Sequence, residues 1–196
     1  MIFPAQPFYM IRHGETDWNV VDRFQGRTDI PINFKGRQQA AYNGRNLKKI
    51  ITQPNDWRFV ASPLGRTRQT MEIARSQMEL DQRAYDTDDR LLEITFGDWE
   101  TFTLKEIGEK FPFDVARRNI NKWNFKSPNG ESYADGAVRI KPFLEEMDRP
   151  SVVVTHGGII RAIRHLIEGI DGDTVANQAV PQDRIYYFDG KVGRWL

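Results

Sequence analysis

The sequence contains no cysteine among its 196 residues. This absence excludes disulfide bonds, thiolate metal sites and any phosphatase or protease whose nucleophile is a cysteine. An excess of charge of either sign is also lacking, since the chain has 28 Lys and Arg residues and 27 Asp and Glu residues. We therefore expect no overall field that attracts nucleic acid or an acidic membrane, and an anion must be bound by a local cluster of basic groups.

Long hydrophobic runs are missing as well. No apolar stretch has the length needed to span a bilayer. The N-terminal stretch MIFPAQPFYMI has two prolines, no basic start and no small-residue cleavage pattern, so it does not resemble a signal peptide. These features predict a cytoplasmic protein with no membrane partner. The length and the lack of repeats predict a single domain over residues 1–196.

Apolar runs alternate with helical patterns along the chain. Strands are predicted at 8–12, from Arg58 to Pro63, and from Ser151 to His156. A polar loop follows the first strand up to about Pro31, whereas the other two strands lead directly into helices. This alternation predicts an α/β fold, a three-layer α/β/α sandwich with a mostly parallel central sheet.

Two further segments complete this prediction. The C-terminal sequence RIYYFDGKVGRWL is typical of a hairpin that turns at Asp189-Gly190. Between about residues 96 and 130 the pattern becomes irregular and rich in aromatic side chains. Such side chains more often belong to a core, but an irregular segment can also cover a substrate. We predict a lid-like insertion at about 96–130.

Two histidines stand beside glycine just past a predicted strand. His13 lies in MIRHG and His156 lies in VVVTHGG. A lone histidine is more often a structural residue than a catalytic one. In parallel sheets, however, ligands bind outside the carboxyl ends of the strands, and this recurrence places both histidines at such an edge.

The neighbours of these histidines are suited to a phosphoryl group. Arg12 precedes His13, and Arg66 lies at the start of the helix after the second strand. Guanidinium groups match the oxygens of phosphate, and a helix N-terminus adds unpaired N–H groups. Gly14 and Gly157 would let a bound anion approach the backbone closely. The pattern predicts a phosphate site.

A phosphate site of this composition can also be reactive. A neutral histidine can attack phosphorus when an acceptor holds its other ring nitrogen. The leaving alcohol then needs a proton. Glu93 in LLEITFGDWE offers a carboxyl group that can supply it. The residues themselves thus predict a nucleophile and a general acid.

Four blocks, RHGETDWN, SPLGRTRQT, LLEITFGDWE and VVVTHGG, occur in this order. Together they resemble the signature of the histidine phosphatase superfamily, also called the phosphoglycerate mutase-like clan. SPNGES, residues 127–132, is similar to a further family segment. The resemblance extends from about Phe8 to the hairpin near Phe188, which is most of the chain, and four ordered blocks are far more specific than one.

The resemblance implies a role for each matching residue. His13 would be the nucleophile that forms a phosphohistidine, and Glu93 would donate a proton and then activate water. Arg12, Arg66 and His156 would bind the phosphoryl oxygens. Further phosphate or substrate contacts are implied for Asn19, Gln25, Gly26 and Gly157.

The activity implied is that of the phosphatase branch, a metal-independent hydrolase of a small phosphomonoester without cofactors. The alternative is a cofactor-dependent phosphoglycerate mutase, whose family members usually carry longer insertions between the blocks. A non-catalytic binding module is a third possibility, although all five catalytic groups are present. We expect no nucleic-acid partner, and the edge of the C-terminal hairpin offers a surface for a homodimer.

A short stretch of the chain resembles a sequence motif of a different phosphatase class. Asp171 and Asp173 in LIEGIDGDTV resemble the nucleophile loop of aspartate-dependent haloacid dehalogenase-like phosphatases. Too few residues follow for the domain that this loop normally precedes. We therefore predict a turn at a helix end here.

Overall fold

A six-stranded sheet forms the centre of the computed structural model, which describes residues 4 and 6–196. The strands lie in the order β3-β2-β4-β1-β5-β6. Their bounds are β1 (Phe8–Arg12), β2 (Arg58–Ala61), β3 (Asp86–Thr87), β4 (Ser151–Thr155), β5 (Tyr186–Phe188) and β6 (Gly193–Trp195). The first four strands pair in parallel, and the last two form an antiparallel hairpin beside β1.

The register of the parallel strands brings their carboxyl ends to one edge. Arg12 at the end of β1 lies opposite Thr155 at the end of β4, and Ala61 at the end of β2 lies opposite Val154. Residues that follow these strands are therefore neighbours, although they are far apart in sequence. The predicted hairpin around Asp189-Gly190 is confirmed.

Helices cover both faces of this sheet. The α-helices are α1 (Asp17–Val20), α2 (Phe34–Ile50), α3 (Gly65–Gln77), α4 (Leu104–Lys110), α5 (Pro112–Ile120), α6 (Tyr133–Glu145), α7 (Gly157–Glu168) and α8 (Gly172–Asn177). Short 3-10 turns occupy Pro54–Asp56, Asp89–Leu91 and Gly97–Trp99.

Strand side chains alternate between two cores. Tyr9 and Ile11 of β1 pack with apolar residues of α2 and α3, whereas Phe8 and Met10 pack with those of α6 and α7. A parallel sheet needs apolar cover on both faces, because both sets of its side chains are buried. The predicted α/β class, a three-layer sandwich with a mostly parallel sheet, is confirmed.

One local prediction was wrong and another was incomplete. The loop predicted up to Pro31 contains α1, because Thr16 and Asn19 form a reciprocal capping box that stabilises one helical turn. Asp171 does not merely end a helix: its side chain accepts a hydrogen bond from Thr174 N and caps α8.

The segment from 96 to 130 is attached to the rest of the fold on both sides of α5, since Ser127 is buried and Trp123 N donates to Asp173 Oδ1 at 2.9 Å. Trp99 and Ile107 are buried, whereas α5 contributes no buried residue. Arg23, just after α1, forms an ion pair with Glu106 of α4 at 3.0 Å. None of the helices in the described part of the chain has both the length and the apolar character needed to cross a membrane.

Helices α2 and α3 approach each other closely at Gly44. A Cβ atom at this position would lie 2.5 Å from the carbonyl oxygen of Ala74 in α3. The obstacle is backbone, so it cannot rotate away. Gly108 in α4 is the opposite case, because a Cβ atom there would meet nothing within 4 Å.

These two glycines make a matched pair for mutation. We expect Gly44→Ala to lower the free energy of unfolding by about 1–3 kcal/mol, because the helices must separate. We expect Gly108→Ala to raise it by about 0.5–1 kcal/mol through helix propensity alone. Urea unfolding with an unchanged m-value measures both, and equal stability of the two variants would contradict the packing described.

Candidate active site

A cavity of about 430 Å³ opens at the carboxyl edge of the sheet. Its walls include most of the residues singled out from the sequence, namely Arg12, His13, Asn19, Gln25, Gly26, Arg66, Glu93 and Gly157. His156 is fully buried beside it, with its ring centroid 5.3 Å from that of His13. The tertiary structure thus brings all nine residues to one place.

His13 is held in one protonation form by its surroundings. Its Nδ1 lies 2.8 Å from the carbonyl oxygen of Gly14. A carbonyl can only accept, so Nδ1 carries the proton and Nε2 keeps a free lone pair. Burial, with the charges of Arg66 and Arg12, holds the pKa of His13 well below its usual value. The ring is therefore neutral at pH 7.

Gly14 was expected to let an anion approach the backbone, but the structure gives its missing side chain a packing role. A Cβ atom on Gly14 would collide with the backbone of Gly36 in α2, and the Gly14 N–H donates to Thr70 Oγ1 at 3.0 Å. The missing side chain thus permits contact with a helix rather than with an anion. Close packing then fixes the carbonyl that orients His13.

Arg66 is a buried cation held by backbone carbonyls. Its Nη1 donates to Thr28 O at 2.8 Å and its Nη2 donates to Gly26 O at 2.6 Å. Asp29 approaches Nη1 only to 3.8 Å. Nε is buried without a partner, and burial lowers the pKa of Arg66. Carbonyls orient this guanidinium without cancelling its charge.

Arg12 is arranged in a similar way. Its Nη1 donates to Val180 O at 2.9 Å, and its buried Nε has no partner. Burial, followed by the charge of Arg161, lowers the pKa of Arg12 to about 10. A Cβ atom on Gly157 would lie 3.5 Å from Arg12 Nε and 3.4 Å from Arg161 Nη1. Unused buried donors of this kind require an acceptor, which an anion supplies.

His156 stands directly before α7 and bonds to a residue that the sequence did not single out. Its Nε2 lies 2.8 Å from Ser62 Oγ, while its Nδ1 is buried without a partner. Burial and then the charge of Arg66 hold the pKa of His156 well below its usual value. Ser62 lies just past β2 in the SPLGRTRQT block. Its position after a strand was the only sequence signal.

Glu93 is fixed at the N-terminus of α7. Its Oε2 accepts from Gly158 N at 3.1 Å, and its Oε1 accepts from Ile94 N at 3.0 Å. A Cβ atom on Gly158 would collide with Oε1. The second glycine of THGG therefore makes room for this carboxyl, beside the positive end of a helix dipole.

The polar residues around the mouth of the cavity are also cross-linked. Asn19 Oδ1 accepts from Thr16 N and from Gln182 Nε2, both at 3.1 Å, so its amide nitrogen is the group left for a ligand. Gln182 Nε2 also donates to His13 O at 3.0 Å. Gln25 is buried, and its Oε1 has no partner. Gln182 belongs to none of the sequence blocks, so sequence reasoning missed it.

Besides Arg23, which is paired with Glu106, three further cations line the cavity and were not expected. Arg118 comes from α5, Lys122 follows that helix, and Arg161 lies in α7. None of them forms an ion pair with any described residue. Burial, followed by the charges of Arg118 and Arg161, lowers the pKa of Lys122 to about 8. We call these three residues the cationic wall.

The positions of the described His, Asp and Glu side chains show whether they could bind a metal ion together. Across residues 4 and 6–196, no three His, Asp or Glu side chains converge so that they could hold a metal ion. Around His13 the cavity brings together the cations Arg12 and Arg66 and the carboxyl of Glu93, a set that suits an oxyanion and the transfer of a proton.

Comparison with known proteins agrees with this geometry. Residues 8–195 match the profile of the histidine phosphatase superfamily (branch 1). Phosphoserine phosphatase 1 of Hydrogenobacter thermophilus is 32% identical over 169 residues, covering 83% of this chain and 76% of that protein. A probable phosphoglycerate mutase of Escherichia coli O1:K1 is also 32% identical over 169 residues, covering 83% of this chain and 74% of its own.

Solved structures agree as well. A mycobacterial glucosyl-3-phosphoglycerate phosphatase in complex with VO3 superimposes with a TM-score of 0.79 at 27% identity, covering 98% of this chain and 97% of that one. The profile match spans nearly the whole sequence, and the relatives include proteins named as phosphatases. The chain belongs to the histidine phosphatase superfamily and is a phosphatase.

Proposed function

We propose that the protein hydrolyses a phosphomonoester without a metal ion, through a phosphohistidine on His13. The observation that carries this proposal is the neutral ring of His13, whose Nδ1 donates to Gly14 O and whose Nε2 is free. Arg12 and Arg66 flank this ring with unpartnered Nε groups. A nucleophile and a cradle for its target therefore occupy the same cavity.

The first step transfers the phosphoryl group to His13. The Nε2 lone pair forms an N–P bond while the P–O bond to the leaving group breaks. The electrons of that bond go to the leaving oxygen, which takes a proton from the Glu93 carboxyl. Arg12 and Arg66 stabilise the charge that spreads over the phosphoryl oxygens.

The second step restores the enzyme with water. The Glu93 carboxylate takes a proton from water, whose oxygen attacks phosphorus while the N–P bond breaks. Inorganic phosphate leaves, His13 returns to its neutral form, and Glu93 is again protonated for the next cycle. The backbone N–H groups of Ile94 and Gly158 hold the carboxyl in place throughout.

Ser62 selects the form of His156 in this scheme. We propose that the Ser62 hydroxyl donates to His156 Nε2, which places the proton on the unpartnered Nδ1. A neutral His156 can then donate from Nδ1 to a phosphoryl oxygen. Ser62 is therefore a positioning residue.

The cationic wall supports a narrower substrate class. Arg118, Lys122 and Arg161 lie in the same cavity as Arg12 and Arg66, and no carboxylate of the described chain pairs with them. A substrate with a second anionic group would satisfy them. Phosphoserine and glucosyl-3-phosphoglycerate, named in two relatives, both carry a carboxylate near the phosphate. We infer a small phosphorylated acid, covered by the 96–130 segment.

Phosphoglycerate mutase activity is the second candidate. It is supported by the probable mutase from Escherichia coli, which is as similar to this chain as the phosphoserine phosphatase is. A mutase would use the same phosphohistidine and return the phosphoryl group to a bound phosphoglycerate instead of to water. The cationic wall suits that substrate too.

Replacement of His13 tests the proposed hydrolysis. We expect His13→Ala to reduce turnover of 4-nitrophenyl phosphate by at least about 10³-fold, because the nucleophile is lost. Rapid quenching at alkaline pH with ³²P-labelled substrate should trap label on the unmodified protein only. His165→Gln, outside the cavity, is the control and should retain both activity and label. Label trapped on a folded His13→Ala protein would contradict the proposal.

Two further assays separate the alternatives. Dialysis against EDTA should leave turnover unchanged, and loss of activity restored by a divalent cation would overturn metal independence. A coupled mutase assay primed with bisphosphoglycerate should show release of phosphate without interconversion of phosphoglycerates. Interconversion faster than phosphate release would favour the mutase.

Ser62→Ala tests how His156 is positioned. We expect kcat to fall by about 5- to 100-fold, since removing one partner of a buried hydrogen bond costs about 1–3 kcal/mol. KM should change much less, because Ser62 does not line the cavity. Ser151→Ala removes an equally buried serine at the other end of the sheet and should leave kcat unchanged. Equal kcat values in the two variants would contradict this role.

A pair of substrates tests whether the cationic wall binds a second anionic group of the substrate. Phosphoserine and phosphoethanolamine differ only by a carboxylate. We expect Arg118→Gln to lower kcat/KM about 10- to 100-fold for phosphoserine only, because a charged hydrogen bond is worth about 1.5–3 kcal/mol. Arg117→Gln changes the neighbouring arginine, which is paired with Asp114 on the surface, and is the matched control. An equal loss on both substrates would rule out carboxylate recognition.

A further inference from the structure

A second cavity, of about 460 Å³, lies at the opposite edge of the sheet. Arg58 begins β2, Asp86 begins β3, and Arg149 lies just before β4, so this cavity adjoins the amino ends of the parallel strands. The active site adjoins their carboxyl ends. The two cavities are therefore separated by the length of the strands, and the proposed hydrolysis makes no use of the second one.

The charges lining this second cavity are strongly unbalanced. Arg58, Arg75, Arg83 and Arg149 line it together with a single carboxylate, that of Asp86. Only Arg58 is neutralised, through an ion pair with Asp86 at 3.0 Å. The side chains of Arg83 and Arg149 make no hydrogen bond or ion pair with the described residues. In a chain with a net charge of only +1, this concentration of unpaired arginine is local.

Arg75 gives the cavity a fixed donor. The residue is only 6% exposed, its Nε donates to Asp81 O at 2.7 Å, and its guanidinium lies 4.5 Å above the ring of Phe59. Its two Nη groups form no hydrogen bond within the described chain. The Nε bond holds the group in place, and a guanidinium fork with free Nη groups matches the two oxygens of a phosphate or carboxylate.

The walls beside these arginines are aromatic and held in place. Trp57 is stacked on Tyr9, with ring centroids 5.1 Å apart. The Tyr85 hydroxyl donates to Glu72 Oε1 at 3.0 Å and accepts from Arg68 Nε at 3.4 Å. Both Trp57 and Tyr85 line the cavity. Fixed aromatic faces favour a planar ring, because stacking on them costs little conformational entropy.

We propose that this cavity binds a small ligand that combines an oxyanion with a planar aromatic ring, such as a mononucleotide. Arg75, Arg83 and Arg149 bind the oxyanion, and Trp57 and Tyr85 contact the ring. The volume is similar to that of the active-site cavity, which suits a ligand of metabolite size. The site is independent of phosphohistidine chemistry.

NMR of the full-length ¹⁵N-labelled protein tests this proposal, with the Trp57 indole N–H signal as a local probe. Trp57→Phe assigns that signal. The ligand is the 5′-phosphonate analogue of AMP, which a phosphatase cannot cleave, and adenosine and inorganic phosphate are titrated separately. We expect the analogue to shift the Trp57 signal saturably, with a Kd at least about tenfold lower than that of either fragment.

Variants then identify the residues involved. Arg83→Gln/Arg149→Gln changes two exposed arginines and should weaken binding at least about tenfold without affecting folding. Arg37→Gln/Arg45→Gln, on the exposed side of α2, is the matched control and should bind as the unmodified protein does. The proposal is overturned if the Trp57 signal does not move, if the Arg83/Arg149 variant binds equally well, or if one fragment alone binds as tightly as the analogue.

Discussion

The hydrogen bond from His13 Nδ1 to the Gly14 carbonyl is the contact on which the site depends. It places the ring proton on Nδ1 and leaves the lone pair of Nε2 free, as the proposed attack on phosphorus requires. The carbonyl is in place because Gly14 packs against Gly36 of α2. The ring is in place because the His13 N–H donates to Thr155 O at 3.0 Å and continues the pairing of β1 with β4.

Backbone carbonyls, rather than carboxylates, hold the two arginines that we propose bind the phosphate. Arg12 donates to Val180 O, and Arg66 donates to Gly26 O and Thr28 O. A close carboxylate partner would compete with the substrate for each guanidinium, whereas a neutral carbonyl orients the group and leaves its charge available. Burial and then these charges lower the pKa of His13 and His156, so the cations proposed to bind the substrate also help to keep both rings neutral.

Both ends of the parallel strands carry arginine, but in different settings. At the carboxyl edge Arg12 and Arg66 lie around the ring of His13, and the glycines of THGG admit Arg12, Arg161 and Glu93. At the amino edge Arg75 lies on an aromatic ring, and no histidine lines the cavity. The hydrolysis that we propose uses the first environment, and the ligand binding that we propose uses the second.

Sequence alone determined the features that depend on local geometry. Strand and helix periods and the hairpin turn at Asp189-Gly190 involve residues a few positions apart. The ordered blocks also named His13, Glu93 and His156 before their proximity was known. The capping box that begins α1 is local too, but its N3 residue is Asn19 rather than the Glu or Gln of the usual pattern.

Only the tertiary structure decided which distant groups complete the site. Ser62 bonds to a ring 94 positions away, Gln182 to a carbonyl 169 positions away, and Arg12 to a carbonyl 168 positions away. Such pairs carry no spacing rule, because strand order and register, rather than local sequence, bring them together. For the same reason the sequence did not reveal that Gly14 serves a helix contact, or that Arg118, Lys122 and Arg161 meet in one cavity.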